Sequence, residues 1–161
     1  MIKRLTKNDI KDLINLNIEA GNDFPYNLVG SNNLYDITTY YSTGELPDKP
    51  MTQIYGYFTD ISYYDKTVKL IGVMTATFSF VFPHKDNPNG RIVHISGAYV
   101  LRDYRHKYIA TELLKYIERN AIEYFKADYL CCDSSADDLY YNNGFKQSNE
   151  SRLWKPLPHH Y

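Results

Sequence analysis

Residues Tyr104-Arg105-His106-Lys107-Tyr108-Ile109-Ala110-Thr111 end an apolar run with a short basic turn and open a strongly amphipathic helix. The start of a helix leaves its first N–H groups unpaired and carries about half a positive charge, so a turn of this kind suits a phosphate or pyrophosphate. About thirty residues later, Leu139-Tyr140-Tyr141-Asn142-Asn143-Gly144-Phe145 sets a phenol on a short helix just before a Gly-Phe turn. The run before the basic turn holds one titratable side chain suited to accepting a proton at neutral pH, His94, since an ordinary imidazole has a pKa of about 6.5. Other reactive types are poorly placed. Cys131 and Cys132 have no partnered histidine and no helix N-terminus beside them, which argues against a covalent cysteine mechanism. The five histidines are scattered, or adjacent only at His159-His160, so no metal-ligand spacing appears and no metal is expected.

Those groups need a scaffold, and the pattern supplies one. Ile2 to Leu5 predicts a first strand, with Thr6 as N-cap and Asp9 completing a capping box. Ile10, Leu13, Ile14, Asn17 and Ile18 follow at helical spacing, and Gly21 marks a stop. Between 22 and 50 a short helix from about Leu34 to Tyr41 is the one element expected. Strands are expected over Gln53 to Ile61 and Val68 to Phe82, joined by a turn at Tyr64-Asp65-Lys66. A loop from Pro83 to Gly90 and a strand over Arg91 to Leu101 follow. In the helix after the basic turn, Ile109, Leu113, Tyr116, Ile117, Asn120, Ala121 and Tyr124 form one stripe. A strand over Asp128 to Asp133, a helix over Ala136 to Asn143 and a last strand over Phe145 to Trp154 complete the order β-α-α-β-β-β-α-β-α-β.

The two motifs, in this order and at this spacing, resemble the GNAT superfamily of acyl-CoA-dependent N-acyltransferases. The family signature Arg/Gln-x-x-Gly-x-Gly/Ala is read here as Arg105-His106-Lys107-Tyr108-Ile109-Ala110, and its later Tyr-x-x-x-Gly-Phe as Tyr140 to Phe145. The resemblance implies an α/β (α+β) fold with one domain over residues 1–161. Its mixed, mostly antiparallel central sheet would be flanked by helices. It also implies acetyl-CoA as acyl donor, with the N–H groups of His106 to Ala110 and Thr111 cradling the pyrophosphate and Arg105 and Lys107 at the rim. By the same resemblance the backbone of Ala98, Tyr99 and Val100 pairs with the pantetheine arm, Tyr140 is the acid for the departing thiolate, and His94 stands where some members carry a carboxylate base. Core packing is the competing reading of Tyr140, and a water chain to solvent is the competitor for His94. The family has glycine at Tyr108, and commonly at His106. A non-glycine there is compatible with cofactor only if the side chain turns away, and otherwise points to a CoA- or partner-binding protein with little or no catalysis.

Composition narrows the partners. The chain has 161 residues, 43% hydrophobic and 23% charged, with net charge −1, ordinary values that argue against a nucleic-acid binder. No apolar run approaches the roughly 20 residues that span a bilayer, and the N-terminus lacks a signal-peptide pattern, so neither a membrane nor export is expected. Adjacent cysteines in a strand are poorly placed to bridge and fit a reducing cytoplasm. Residues 22–65 hold six acids against Lys49, together with ten aromatics. If these line the acceptor side, they favour a cationic amine, either a small molecule or a lysine-bearing peptide. If they form a solvated face and core packing, they say nothing of the acceptor. A monomer and a homodimer are equally compatible.

Overall fold

The computed structural model describes residues 1–24, 51–60, 67–132 and 138–146. β1 (Ile2–Arg4) leads through a capped turn into α1 (Ile10–Ala20), and β2 (Met51–Phe58), β3 (Leu70–Phe80) and β4 (Arg91–Val100) then form a meander. α2 (Ile109–Asn120) follows the basic turn, and β5 (Tyr129–Cys132) and α3 (Asp138–Asn142) end the described part. The strands lie in the order β1-β2-β3-β4-β5, antiparallel except for the parallel pair β4–β5. This is the mixed, mostly antiparallel sheet flanked by helices that the sequence predicts. The helix expected from Leu34 to Tyr41, the turn at Tyr64 to Lys66 and residues 147–154 of the last strand lie outside the described residues. Phe145 and Lys146 belong to no strand.

The capping box falls on the 3₁₀ turn Lys7–Asp9 that leads into α1, and it is complete. The Thr6 N–H donates to Asp9 Oδ2 at 2.8 Å, and Asn8 N–H donates to Thr6 Oγ1 at 3.3 Å. Asp9 is buried and also pairs with Lys3 Nζ at 2.6 Å, tying the cap to β1. Gly21 stops the helix at φ +60°, its N–H donating to the Asn17 carbonyl. The buried stripe differs from the expected one, because Leu13 and Leu16 are buried while Ile14 and Ile18 are exposed. At 100° per residue, Ile10, Leu13, Leu16 and Ala20 fall within one sector of about 120°, and Ile14 and Ile18 fall about 40° and 80° beyond its edge.

β3 is the centre of the sheet and is buried along most of its length. α2 packs on the face that carries Gly72, Met74, Ala76 and Phe78. A Cβ at Gly72 would lie 3.1 Å from Ile109 Cγ2, so glycine there lets the first turn of α2 approach the sheet. The far end of α2 departs from the expected stripe. A π-helical turn over Ala121–Phe125 inserts an extra residue, so Tyr124 is exposed and Phe125 enters the core against Phe78, with ring centroids 5.1 Å apart.

β4 carries the feature that matters most for the site. Val100 pairs with Gly72 and Gly97 with Thr75, but Ile95 pairs with Ala76, which leaves Ser96 as an extra residue. Its hydroxyl lies 2.8 Å from that of Thr75. Beyond this bulge the alternation of faces is inverted. β5 pairs only with the first half of β4, from Ile92 to Ile95.

Candidate active site

The basic turn presents a run of backbone donors. Leu101 ends the strand, Arg102–Tyr104 make one 3₁₀ turn, and Arg105 is extended. His106 and Tyr108 then take φ of +61° and +62°, the left-handed region that glycine enters freely. These are the two positions at which the family resemblance expects glycine. Holding L-residues there costs about 1–3 kcal/mol each. The first intrahelical bond of α2 runs from Glu112 N–H to the Tyr108 carbonyl, and no side chain caps the helix. Among the described residues no protein acceptor takes the N–H groups of residues 106–111.

The side chains clear the approach. Tyr108 is 77% exposed, so its ring stands in solvent and leaves its N–H accessible. Arg105 does more than add charge at the rim. Its Nε donates to the Val100 carbonyl at 2.9 Å and its guanidinium lies 5.5 Å from the centre of the Tyr99 ring, which fastens the turn to the end of β4. Lys107 Nζ lies 5.5 Å from the Tyr104 ring. A cleft of about 350 Å³ opens here, lined by Val100, Tyr104, Arg105, Tyr108, Thr111 and Leu139 among others. Glu112, in the first turn of α2, faces Tyr57 on β2. Burial first, and then this carboxylate, push the Tyr57 phenol up from its ordinary value.

α3 borders the cleft through Leu139. Tyr140, the next residue, is 7% exposed, packs edge-on against Phe145 at 5.3 Å, and accepts the N–H groups of Asn143 and Phe145 at its carbonyl. Tyr141 points away, exposed, as helical geometry requires. His94 lies opposite Thr77 on β3 and Cys131 on β5. An even spacing from Val100 would put both on one face, but the Ser96 bulge turns His94 to the face opposite the cleft lined by Val100. Sequence reasoning missed Leu139 and Tyr104 as lining residues, although each directly precedes a motif residue it had singled out.

A second cavity, of about 540 Å³, lies on that opposite face, where α1 ends beside Tyr99. Its lining includes Glu19, Asn22, Asp23, Tyr99, Arg102 and Asp103. Arg102 Nε donates to Asp23 Oδ2 at 2.8 Å and its Nη2 bonds the same oxygen, and Lys69 pairs with Glu19 at 2.7 Å. Of the six acids in residues 22–65, Asp23 thus lies in a cavity, while Asp60 sits beside the N-terminal amine at 3.5 Å. Asp36, Glu45, Asp48 and Asp65 lie outside the described residues. Among the described residues there is no group of three His, Cys, Asp or Glu that could hold a metal, and no helix long and apolar enough to cross a membrane.

Comparison with known proteins decides the family. The model of the Acetyltransferase (GNAT) family matches residues 31–145. The chain belongs to the GNAT acetyltransferase family. It is accordingly an acyltransferase, and its fold recurs among solved structures. A probable acetyltransferase is similar at 18% identity and a TM-score of 0.69, over 93% of this chain and 92% of that one. An aminoglycoside 6'-N-acetyltransferase from Acinetobacter baumannii shares 17% identity at a TM-score of 0.62, over 91% and 90%. A predicted acetyltransferase from Clostridium acetobutylicum, solved with acetyl-CoA, shares 20% identity at a TM-score of 0.63, over 100% and 99%. At these identities the likeness speaks for the fold. No curated protein matches the sequence.

Proposed function

We propose that this GNAT protein transfers an acetyl group from acetyl-CoA to the primary amine of a small cationic acceptor, by direct attack within a ternary complex. The observation that carries the reading is the turn at residues 105–111, where His106 and Tyr108 keep the left-handed geometry without glycine and the N–H run stays unpaired. A fold that needed only a stable helix start would have no use for that arrangement. Residues 106–111 fit the donor's pyrophosphate, and Val100 and Leu139 flank the path of its arm. Acetyl-CoA supplies an activated thioester. The new C–N bond forms as the C–S bond breaks, so one proton must leave the amine and one must reach the departing sulfur. Tyr140 is assigned the second role, from its helix beside the cleft, and His94 the first, on the opposite face from which the amine would come.

Calorimetric titration with acetyl-CoA, followed by a screen of amines with mass-spectrometric detection of acetylated product, tests the reading. Binding together with transfer to a cationic amine is expected. Absence of binding at millimolar acetyl-CoA would sink it, and tight binding without turnover on any amine would mark a non-catalytic GNAT protein. For His94→Gln, activity should drop mainly near neutral pH and partly recover as the amine deprotonates by itself at higher pH. A loss that is flat across pH would remove His94 from proton transfer.

A further inference from the structure

We propose that the His106 side chain is a proton-dependent contact for the donor's pyrophosphate, so that the chain holds its acyl donor more tightly as pH falls. The assignment deepens the acetyl-CoA reading above and rests on it. Among the described residues no carboxylate lines the cleft at the basic turn, and its basic side chains are Arg105 and His106. Arg105 carries a fixed charge and is already engaged, by the Val100 carbonyl at 2.9 Å and by the Tyr99 ring. Lys107 is turned to the Tyr104 ring, 5.5 Å from its centre, and is not among the lining residues. His106 is exposed, and no hydrogen bond, ion pair or ring contact with the described residues holds its imidazole.

The backbone at 106 gains nothing from a side chain, since glycine would take a φ of +61° without strain. What histidine contributes there lies in its ring. Imidazole is the side chain that ordinarily gains its charge between pH 8 and pH 5. As imidazolium it sets two N–H donors and a positive charge beside the open N–H run; as a neutral ring it offers one donor and one acceptor. A nearby opposite charge favours the charged form by about one pH unit or more, and linkage makes the effect mutual: the proton tightens the donor as much as the donor tightens the proton. For an exposed ring the lower end applies, an affinity change of up to about tenfold. The neighbouring groups do not supply this change. Tyr104 and Tyr108 are phenols, which ordinarily stay protonated over this range, and from β4 and α3 the cleft is lined by the uncharged Val100 and Leu139. Glu112 of α2 faces Tyr57, Asp138 of α3 is exposed outside the lining, and His94 lies on the other face of the sheet.

The test titrates dephospho-CoA into the full chain by calorimetry. This probe keeps the pyrophosphate but lacks the 3′-phosphate, whose own second proton leaves near about pH 6 and would mask the effect. Affinity for the unaltered chain should rise roughly fivefold to tenfold from pH 8 to pH 5.5. His106→Gln keeps a side chain in the left-handed region without the charge and should remove most of that rise. His106→Arg should bind across the whole range as tightly as the unaltered chain does in acid. Titrations at pH 7 in two buffers of unlike ionisation heat should show the unaltered chain taking up a fraction of a proton per ligand bound, and both variants close to none. A merely structural role at 106 would not move that proton count. The same pH slope in all three chains would overturn the inference, as would equal proton uptake. Should His106→Gln fail to fold, His106→Arg and its proton count decide alone. Failure of dephospho-CoA to bind the unaltered chain at any pH defeats the donor reading itself, whereas binding that ignores pH defeats only the role of His106.

Discussion

The two helix starts on either side of the sheet follow opposite rules. In the 3₁₀ turn Lys7–Asp9 that leads into α1, Thr6 and Asp9 bond the first donors reciprocally, Lys3 closes the set, and no residue before Gly21 takes a positive φ. At α2, two non-glycine residues sit in the left-handed region, and among the described residues no side chain caps the helix and no protein acceptor takes the donors from 106 to 111. A helix start meant only for stability satisfies its own N–H groups. One that leaves them unpaired, at a cost in backbone strain, keeps them for something outside the chain.

If that contrast is right, damage at the α2 end should fall on rate and ligand binding, and damage at the α1 end on stability. The largest effect is expected at Tyr140. Tyr140→Phe deletes one hydroxyl and should lower kcat by roughly 10²–10⁴-fold with acetyl-CoA affinity nearly intact. Wild-type turnover would leave Tyr140 a packing residue. Next comes Asp9→Ala, which strips a buried carboxylate from Lys3 and from the Thr6 N–H. It should cost about 1–3 kcal/mol of stability in denaturant melts, with kcat per folded molecule unaltered. A drop in kcat instead would erase the contrast. Tyr108→Gly relieves a left-handed residue and should stabilise by up to about 1 kcal/mol while tightening acetyl-CoA binding. Weaker binding would show that the exposed ring contributes to the ligand.

The smallest effect concerns alkaline pH. The Tyr55 phenol is pushed up by burial, and Tyr57 by burial and then by Glu112. In the unfolded chain both ionise near about pH 10, whereas the folded chain holds their protons to higher pH. Their contribution is therefore fully present below pH 10 and is lost as pH rises from there through the folded values. Thermal melts should show stability declining above pH 10, less steeply in Tyr57→Phe.

Much of the architecture could be read from pattern, because strands, turn and α2 each announce themselves locally. The basic turn was recognisable from its charge and its place between an apolar run and an amphipathic helix. What escaped were departures of a single residue. The π-turn substitutes Phe125 for Tyr124 in the core, and the Ser96 bulge moves His94 and Val100 to different faces. Neither leaves a composition signal, since both are settled by neighbours distant in sequence: Phe78 and Phe80 for the first, Thr75 and Ala76 for the second. The cavity at Tyr99 was invisible for the same reason. Its lining joins Glu19 at the end of α1 and Asp23 just beyond it to Tyr99, Leu101, Arg102 and Asp103, and Arg102 and Asp23 are 79 residues apart.

The adjacency of Tyr99 and Val100 has a kinetic consequence. Between the two hollows stands a partition one peptide thick, with a separate doorway on each side. Should donor and acceptor each take one hollow, initial-rate kinetics are expected to show random addition, with either partner able to arrive first and to depart last.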